Sequence, residues 1–238
     1  MLRIENLNVK TIQGKKILDS VSLAVNSDEI VSLVGGSGSG KSTIFKSILH
    51  SILPMDGYVI EGKVSLDGQS VQPVFQDAFS SFNPSWKMIN CLLEPFIIHN
   101  KDRKIGLENI RSKLEIIGID RHRLQSRPHQ FSGGELQRLA ILRSILLEPK
   151  ILIMDEPVSG LDPLVRKPIL DLIMELKSRM KMGILFISHD LDVVRKISDR
   201  IYVIKEGVIV ESGLSNEIPN YRSDNYTKEL FDLEYDFL

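Results

Sequence analysis

The sequence has a single cysteine, Cys91. One thiol cannot close an internal disulfide or build a multi-cysteine metal site, so the chain suits a reducing compartment. No apolar run approaches the roughly 18 residues that a membrane-spanning helix needs, so any spanning falls to another chain. The N-terminus, Met1-Leu2-Arg3-Ile4-Glu5-Asn6, lacks the apolar stretch of a secretory leader. Charge of neither sign is in excess: 30 basic and 31 acidic side chains leave a formal net charge of −1, which gives no footprint for a nucleic acid or another polyanion. There is no internal repeat and no low-complexity tract. The 238 residues suffice for one large α/β domain or two small ones.

What is present is concentrated in eight positions. Gly35-Gly36-Ser37-Gly38-Ser39-Gly40-Lys41-Ser42 fits G-x-x-x-x-G-K-[ST], the phosphate-binding loop of nucleotide triphosphatases. Glycines let backbone N–H groups wrap a phosphate tail at dihedral angles other residues avoid. The helix expected from Thr43 onward adds its positive dipole end. Lys41 supplies a cation for the β- and γ-phosphates, and the Ser42 hydroxyl is placed to ligate Mg²⁺. Context agrees: Ile30–Val34 reads as a buried strand, and Thr43–Leu49 carries apolar residues at helical spacing. The alternative is a Gly/Ser linker, which has no reason to be flanked by a strand and a helix in that order.

Elsewhere the pattern switches in blocks. Leu2, Ile4, Val21, Leu23 and Val25 alternate, as in half-buried strands. Short strands are expected at Lys63–Leu66 and Val71–Phe75, turning at Asp67-Gly68. From Asp77 to about Pro149 the character is helical. Leu107, Ile110, Leu114 and Ile117 share one helix face that Gly118 ends, and a second helix runs from about Gly134 to Leu147. Ile151–Met154 reads as a strand buried on both faces and closed by Asp155 and Glu156. A long helix over Leu164–Lys181, a buried strand at Ile184–Ile187 and a hairpin of Ile201–Ile204 with Val208–Val210 follow. One short helix suits the polar, aromatic tail. The expected fold is α/β: a P-loop core with a mixed, largely parallel sheet, an antiparallel β edge and a helical insertion. As one domain over 1–238, it divides into core (1–76 and 150–213), helical subdomain (77–149) and tail (214–238).

Five further segments stand in fixed order after the loop: Gln76 after a strand; Ser132-Gly133-Gly134-Glu135 opening a helix; Asp155-Glu156 after the apolar strand; Ser159-Gly160-Leu161-Asp162; and His189 at the end of the next strand. Alone, each has a bland reading as a turn, a cap or a structural residue. Together, across nearly the whole chain, they resemble the Q-loop, signature, Walker B strand, D-loop and H-loop of the ATP-binding cassette (ABC) ATPases. The resemblance implies an ATPase using ATP and Mg²⁺. The triphosphate would rest on Gly35, Gly36, Ser37, Gly38, Ser39, Gly40, Lys41, Ser42 and Thr43. Ser42, Asp155 and Gln76 would serve the metal, with Glu156 polarising the attacking water and His189 and Gln76 assisting. It also implies a head-to-tail dimer in which Ser132, Gly133 and Gly134 of one subunit cap the γ-phosphate held by the other, with Asp162 at the same interface.

Two features depart from the family pattern. No aromatic residue stands just upstream of Gly14 to stack on adenine; Ile12 takes that slot. Glu135 replaces the usual Gln of the signature. The stretch Gln76-Asp77 followed by Asn83-Pro84 resembles the importer ATPases for dipeptides, oligopeptides and nickel, and the short C-terminus resembles the nickel and metal-chelate members. The partners so implied are a second ABC ATPase subunit (commonly a different chain), two membrane-spanning permease subunits and an extracytoplasmic solute-binding protein, with no nucleic acid. The location would be peripheral, on the cytoplasmic face of the membrane. Phe79, Phe82, Trp86 and Met88 are candidates either for the groove that meets a membrane subunit or for core. The cluster Arg121, His122, Arg123 and Arg127 reads as solvated surface, and the tail aromatics Tyr221, Tyr226, Phe231, Tyr235 and Phe237 as core cover or partner contact. Competing readings are an exporter ATPase, a soluble ABC ATPase of DNA repair or translation, and a nucleotide-binding adaptor. The 55 residues between Gln76 and Ser132 hold no sustained heptads, against the second, and intact Glu156 and His189 argue against the third.

Overall fold

A computed structural model describes residues 1–50, 55–66, 70–218 and 224–232. The alternating N-terminal stretch forms an antiparallel pair, β1 (Leu2–Thr11) and β2 (Lys16–Val25), with Leu2 opposite Val25 and Val9 opposite Leu18. β3 (Ile30–Val34), buried at every position, runs through the glycine loop into α1 (Lys41–Ile48). β4 (Tyr58–Ser65) returns antiparallel along the other edge of β1. β5 (Val71–Val74) opens the larger sheet. Helices α2 (Met88–Ile98), α3 (Arg103–Lys113) and α4 (Gly133–Ile145) occupy the chain before β6 (Ile151–Asp155). Then come α5 (Pro163–Met180), β7 (Gly183–Ser188), α6 (Leu191–Ile197), the antiparallel hairpin β8 (Arg200–Lys205) and β9 (Val208–Leu214), and α7 (Asn225–Asp232).

The strands divide into a three-stranded sheet, β2-β1-β4, and a six-stranded sheet, β5-β6-β7-β3-β8-β9. In the larger sheet every pairing is parallel except the last, β8 with β9. Its central strands are apolar throughout because both faces are covered. Side-chain alternation splits them between two cores. Val31, Leu33, Ile151, Ile153, Leu185 and Ile187 face the β1-β2 layer and α1. Ile30, Val34, Leu152, Met154, Ile184 and Phe186 face the helices. The parallel arrangement brings the C-terminal ends of β3, β5, β6 and β7 to one edge, where ligands bind in open α/β sheets.

Two expectations need correction. The strands expected at 63–66 and 71–75 do not form a hairpin: the first lies within β4, hydrogen-bonded to β1, and the second is β5, hydrogen-bonded to β6. Each pairs with a strand distant in sequence instead; the expected turn at Asp67-Gly68 lies outside the described residues. The helix carrying Leu107 and Ile110 stops at Lys113, although Leu114 and Ile117 continue its buried side to Gly118, whose φ is 61°. Helix α2 contains Pro95, which has no N–H for the carbonyl of Cys91 four residues earlier. Arg143 Nε donates to that carbonyl at 3.3 Å while Arg143 Nη2 pairs with Glu94 at 2.6 Å, so the gap left by proline is filled from α4.

Candidate active site

The glycine loop joins the end of β3 to α1. Gly40 sits at φ 111°, and a Cβ there would lie 2.7 Å from Leu18 Cδ2, so both backbone angle and space require glycine. No side chain caps the N-terminus of α1 and no acidic residue stands in its first turn, which leaves its orphan N–H groups for an anion. Lys41 is buried. Its Nζ donates to the carbonyls of Gly35 at 2.7 Å and Gly36 at 2.9 Å. Burial lowers the Lys41 pKa, against the opposing charges of Glu156 and Asp155.

Across the cleft, β6 delivers the two carboxylates. Glu156 turns the chain at φ 48°, its N–H donating to the Ile187 carbonyl on β7 at 2.9 Å. That turn aims its carboxylate at two groups from neighbouring strand ends. His189 Nδ1 lies 3.1 Å from Glu156 Oε1, and Gln76 Nε2 donates to Oε2 at 3.4 Å. Three residues separated by 80 and 33 positions therefore meet at one carboxylate. A cleft of about 480 Å³ is lined by Ser37, Gly38, Ser39, Gly40, Lys41, Ser42 and Thr43 on one side and by Glu156 and His189 on the other. Ile17 completes its wall.

Asp155 shapes the electrostatics. Its pKa is raised, first by burial and then by the adjacent Glu156 charge, with partial compensation from Lys41 and Lys46 and no contributing hydrogen bond. A partly buried carboxylate without a hydrogen bond is suited to a hard cation. Among the described residues no group of three or more His, Cys, Asp or Glu side chains could hold a metal alone. The donor set, an Asp carboxylate and the Ser42 hydroxyl, fits Mg²⁺, which takes one or two protein oxygens and completes its shell with phosphate and water. Because the folded chain raises the Asp155 pKa above 3.8, the stability contributed by this group is fully present at acid pH. It is lost as pH rises through the folded pKa. Asp155→Asn is therefore expected to raise the melting temperature of the nucleotide-free chain at pH 7, with a smaller gain at pH 4. Thermal melts at both pH values check this, and a lower melting temperature at pH 7 would contradict it.

The remaining candidates lie elsewhere. Ser132, Gly133, Gly134 and Asp162 do not line the cleft; each stands at a helix start. Ser132 caps α4 in a reciprocal box: its Oγ accepts from Glu135 N at 3.3 Å and Glu135 Oε2 accepts from Ser132 N at 2.8 Å. Glutamate in place of glutamine is accommodated by Arg123, whose Nη1 lies 3.2 Å from Glu135 and whose guanidinium stacks 4.6 Å over Phe131. Burial raises the Glu135 pKa, but the Ser132 hydrogen bonds and the Arg123 and Arg138 charges outweigh it, and the net shift is downward. Arg123 thus departs from the solvated-surface reading, whereas Arg121, His122 and Arg127 are exposed. Asp162 caps α5, accepting from Leu164 N at 2.8 Å, and Leu164 is 86% exposed.

A Cβ at Gly134 would lie 2.3 Å from Val165 Cγ1 on α5. Gly134→Ala gains about 1 kcal/mol of helix propensity but forces this contact apart at about 1–3 kcal/mol. A net loss of up to about 2 kcal/mol is expected, read as a lower denaturation midpoint that Val165→Ala restores in part.

Ile12 is 71% exposed and does not line the cleft, whereas Ile17, which the sequence did not single out, does. The cleft thus has an aliphatic wall from β2. Phe82 and Met88 are core, while Phe79 and Trp86 are exposed. Tyr226 and Phe231 pack inward, and Tyr221, Tyr235 and Phe237 lie outside the described residues.

Comparison with known proteins gives a consistent picture. A family model described as ABC transporter matches residues 18–159. The oligopeptide transport ATP-binding protein OppF of Streptococcus mutans is 34% identical over 97% of this chain and 80% of its own length. The dipeptide transport ATP-binding protein DppF of Haemophilus influenzae is 36% identical over 92% of this chain and 70% of its own. Among solved structures, the ATP-binding cassette MJ0796, a dimer in a post-hydrolysis state bound to ADP and Pi, superposes with a TM-score of 0.74. It is 26% identical and covers 90% of this chain and 99% of that one.

Proposed function

Given that the chain belongs to the ABC transporter family and is one of its ATPases, we propose that it drives the import of peptides. The observation that carries the proposal is the meeting of Gln76, Glu156 and His189 beside the glycine-loop cleft. The N–H groups at the start of α1 and the Lys41 ammonium hold the triphosphate. Glu156 accepts a proton from the water that attacks the γ-phosphorus, and His189 orients the Glu156 carboxylate. Mg²⁺ held by Ser42 and Asp155 would neutralise charge on the β- and γ-oxygens. Positioning and charge neutralisation supply most of such catalysis, and these residues provide both.

The signature turn and Asp162, which do not line the cleft of their own chain, act on the cleft of a second ATPase subunit. The motor works with two membrane-spanning subunits and an extracytoplasmic binding protein, at the cytoplasmic face of the membrane. Among the described residues no helix is long and apolar enough to cross a membrane, in keeping with a peripheral subunit. The relatives' names, oligopeptide and dipeptide transport ATP-binding proteins, support peptides over nickel or metal chelates as cargo.

The test is uptake in cells lacking this chain. Restored growth on an oligopeptide by the parent sequence, and not by Glu156→Gln, supports the proposal. Restored nickel uptake without peptide uptake moves the cargo to metal chelates. No effect on either, with ATP hydrolysis stimulated by DNA or ribosomes, would overturn it.

A further inference from the structure

Helix α7 reaches back onto the phosphate loop across 190 positions. Tyr226 Oη accepts a hydrogen bond from the Gly36 N–H at 2.8 Å. The carbonyl of that same peptide unit, belonging to Gly35, accepts from Lys41 Nζ at 2.7 Å. A single peptide plane between two glycines is thus held at both ends, the tyrosine on its N–H and the lysine on its C=O. Flanking glycines leave this plane freer to reorient than any other pair of residues would. Space provides a second, independent observation. A Cβ at position 36 would lie 3.2 Å from Tyr226 Oη, so the tyrosine fills the volume that a side chain there would need.

Tyr226 is itself fixed. Asp224 Oδ1 accepts from the N–H groups of Tyr226 at 2.8 Å and Thr227 at 3.3 Å, starting the helix. Lys205 Nζ stands 4.8 Å over the tyrosine ring. At the far end Phe231 is fully buried, with Arg195 stacked 5.0 Å over its ring and donating to its carbonyl at 3.2 Å. Helix α7 is therefore anchored on α6 and touches the loop with one hydroxyl.

We propose that Tyr226 is a positioning residue for nucleotide binding: it holds the Gly35–Gly36 peptide in place while Lys41 leaves the loop carbonyls for the phosphates. The proposal rests on the nucleotide reading of the loop. Lys41 and Tyr226 together hold the plane in the structure. Once the ammonium turns to the phosphate oxygens, the tyrosine hydroxyl keeps the N–H side of the plane in register.

The experiment uses the full chain and the Tyr226→Phe variant. Affinity for a fluorescent ATP analogue is measured by equilibrium titration, alongside KM and kcat for ATP and the melting temperature. Loss of one neutral hydrogen bond is expected to weaken nucleotide affinity roughly 3- to 10-fold. KM should rise in step, with kcat changed less than about twofold and little change in melting temperature. Gly36→Ala should weaken binding in the parent and cost markedly less on the Tyr226→Phe background, where the clashing oxygen is gone. Parental affinity and KM in Tyr226→Phe would overturn the proposal. So would an affinity loss explained by a fall in melting temperature, which would leave α7 as a structural brace. The parent chain, measured alongside, separates the two readings: if it binds no ATP analogue, the nucleotide reading itself falls.

Discussion

Glu156→Gln is expected to cut steady-state ATP hydrolysis by about 10²–10⁴-fold, the usual contribution of a positioned general base, while ATP still binds. The substitution is nearly isosteric, and the amide oxygen still accepts from Gln76, which donates to Glu156 at 3.4 Å. The negative charge and the basic oxygen that faces His189 are removed. With hydrolysis blocked and binding intact, the variant should accumulate as an ATP-bound dimer, because the nucleotide favours the closed pair and is no longer consumed. Phosphate release and size-exclusion chromatography with ATP read the two effects separately. Near-parental phosphate release would remove Glu156 as the base. Failure to bind ATP would mean that the turn at Glu156, with φ at 48°, had been disturbed instead.

Lys41→Ala is expected to weaken ATP binding by roughly 10- to 100-fold, the loss of one or two hydrogen bonds to a charged donor. The lysine is buried, and its ammonium donates to two loop carbonyls. Its transfer to phosphate therefore exchanges two neutral acceptors for charged ones. Burial lowers its pKa, and a triphosphate beside it would favour the charged form, so binding should strengthen the very charge that makes it. Equilibrium titration with a fluorescent ATP analogue checks the change. Unchanged affinity would show that the loop backbone alone holds the phosphates.

Much of this architecture is legible in the residues because it is set by local pattern. The all-apolar runs Ile30–Val34 and Ile151–Met154 announce strands covered on both faces, and the alternation of Leu2 and Ile4 announces a half-covered one. The loop from Gly35 to Ser42 carries its chemistry in order and spacing. Harder to read are features decided by partners far along the chain. The hairpin expected between β4 and β5 is absent because β4 finds β1 and β5 finds β6. Helix α2 hides behind Pro95, and only Arg143 from α4 explains how it survives there. Ile17 gives no signal as a wall of the cleft, since a strand residue looks the same whether it faces solvent or ligand. The ion pair of Arg123 with Glu135 and the bond of Gly36 to Tyr226 join residues whose types are individually unremarkable.

The meeting of Gln76, Glu156 and His189 is legible as a set of strand ends, since each follows a predicted strand of one parallel sheet. Their mutual distances are not, because they depend on strand order, and β6 lies between β5 and β7. Ser132 and Asp162, which do not line the cleft, begin α4 and α5, and these two helices pack on each other.

The central claim, that residues scattered from Gln76 to His189 act on one triphosphate, is tested most directly by a crystal structure of the Glu156→Gln variant grown with ATP and Mg²⁺. The account predicts the phosphates against the backbone of residues 38–43, the metal between Ser42 and Asp155, and the Ser132 turn of a second subunit at the γ-phosphate. A nucleotide bound away from the glycine loop, or a metal remote from Asp155, would contradict it.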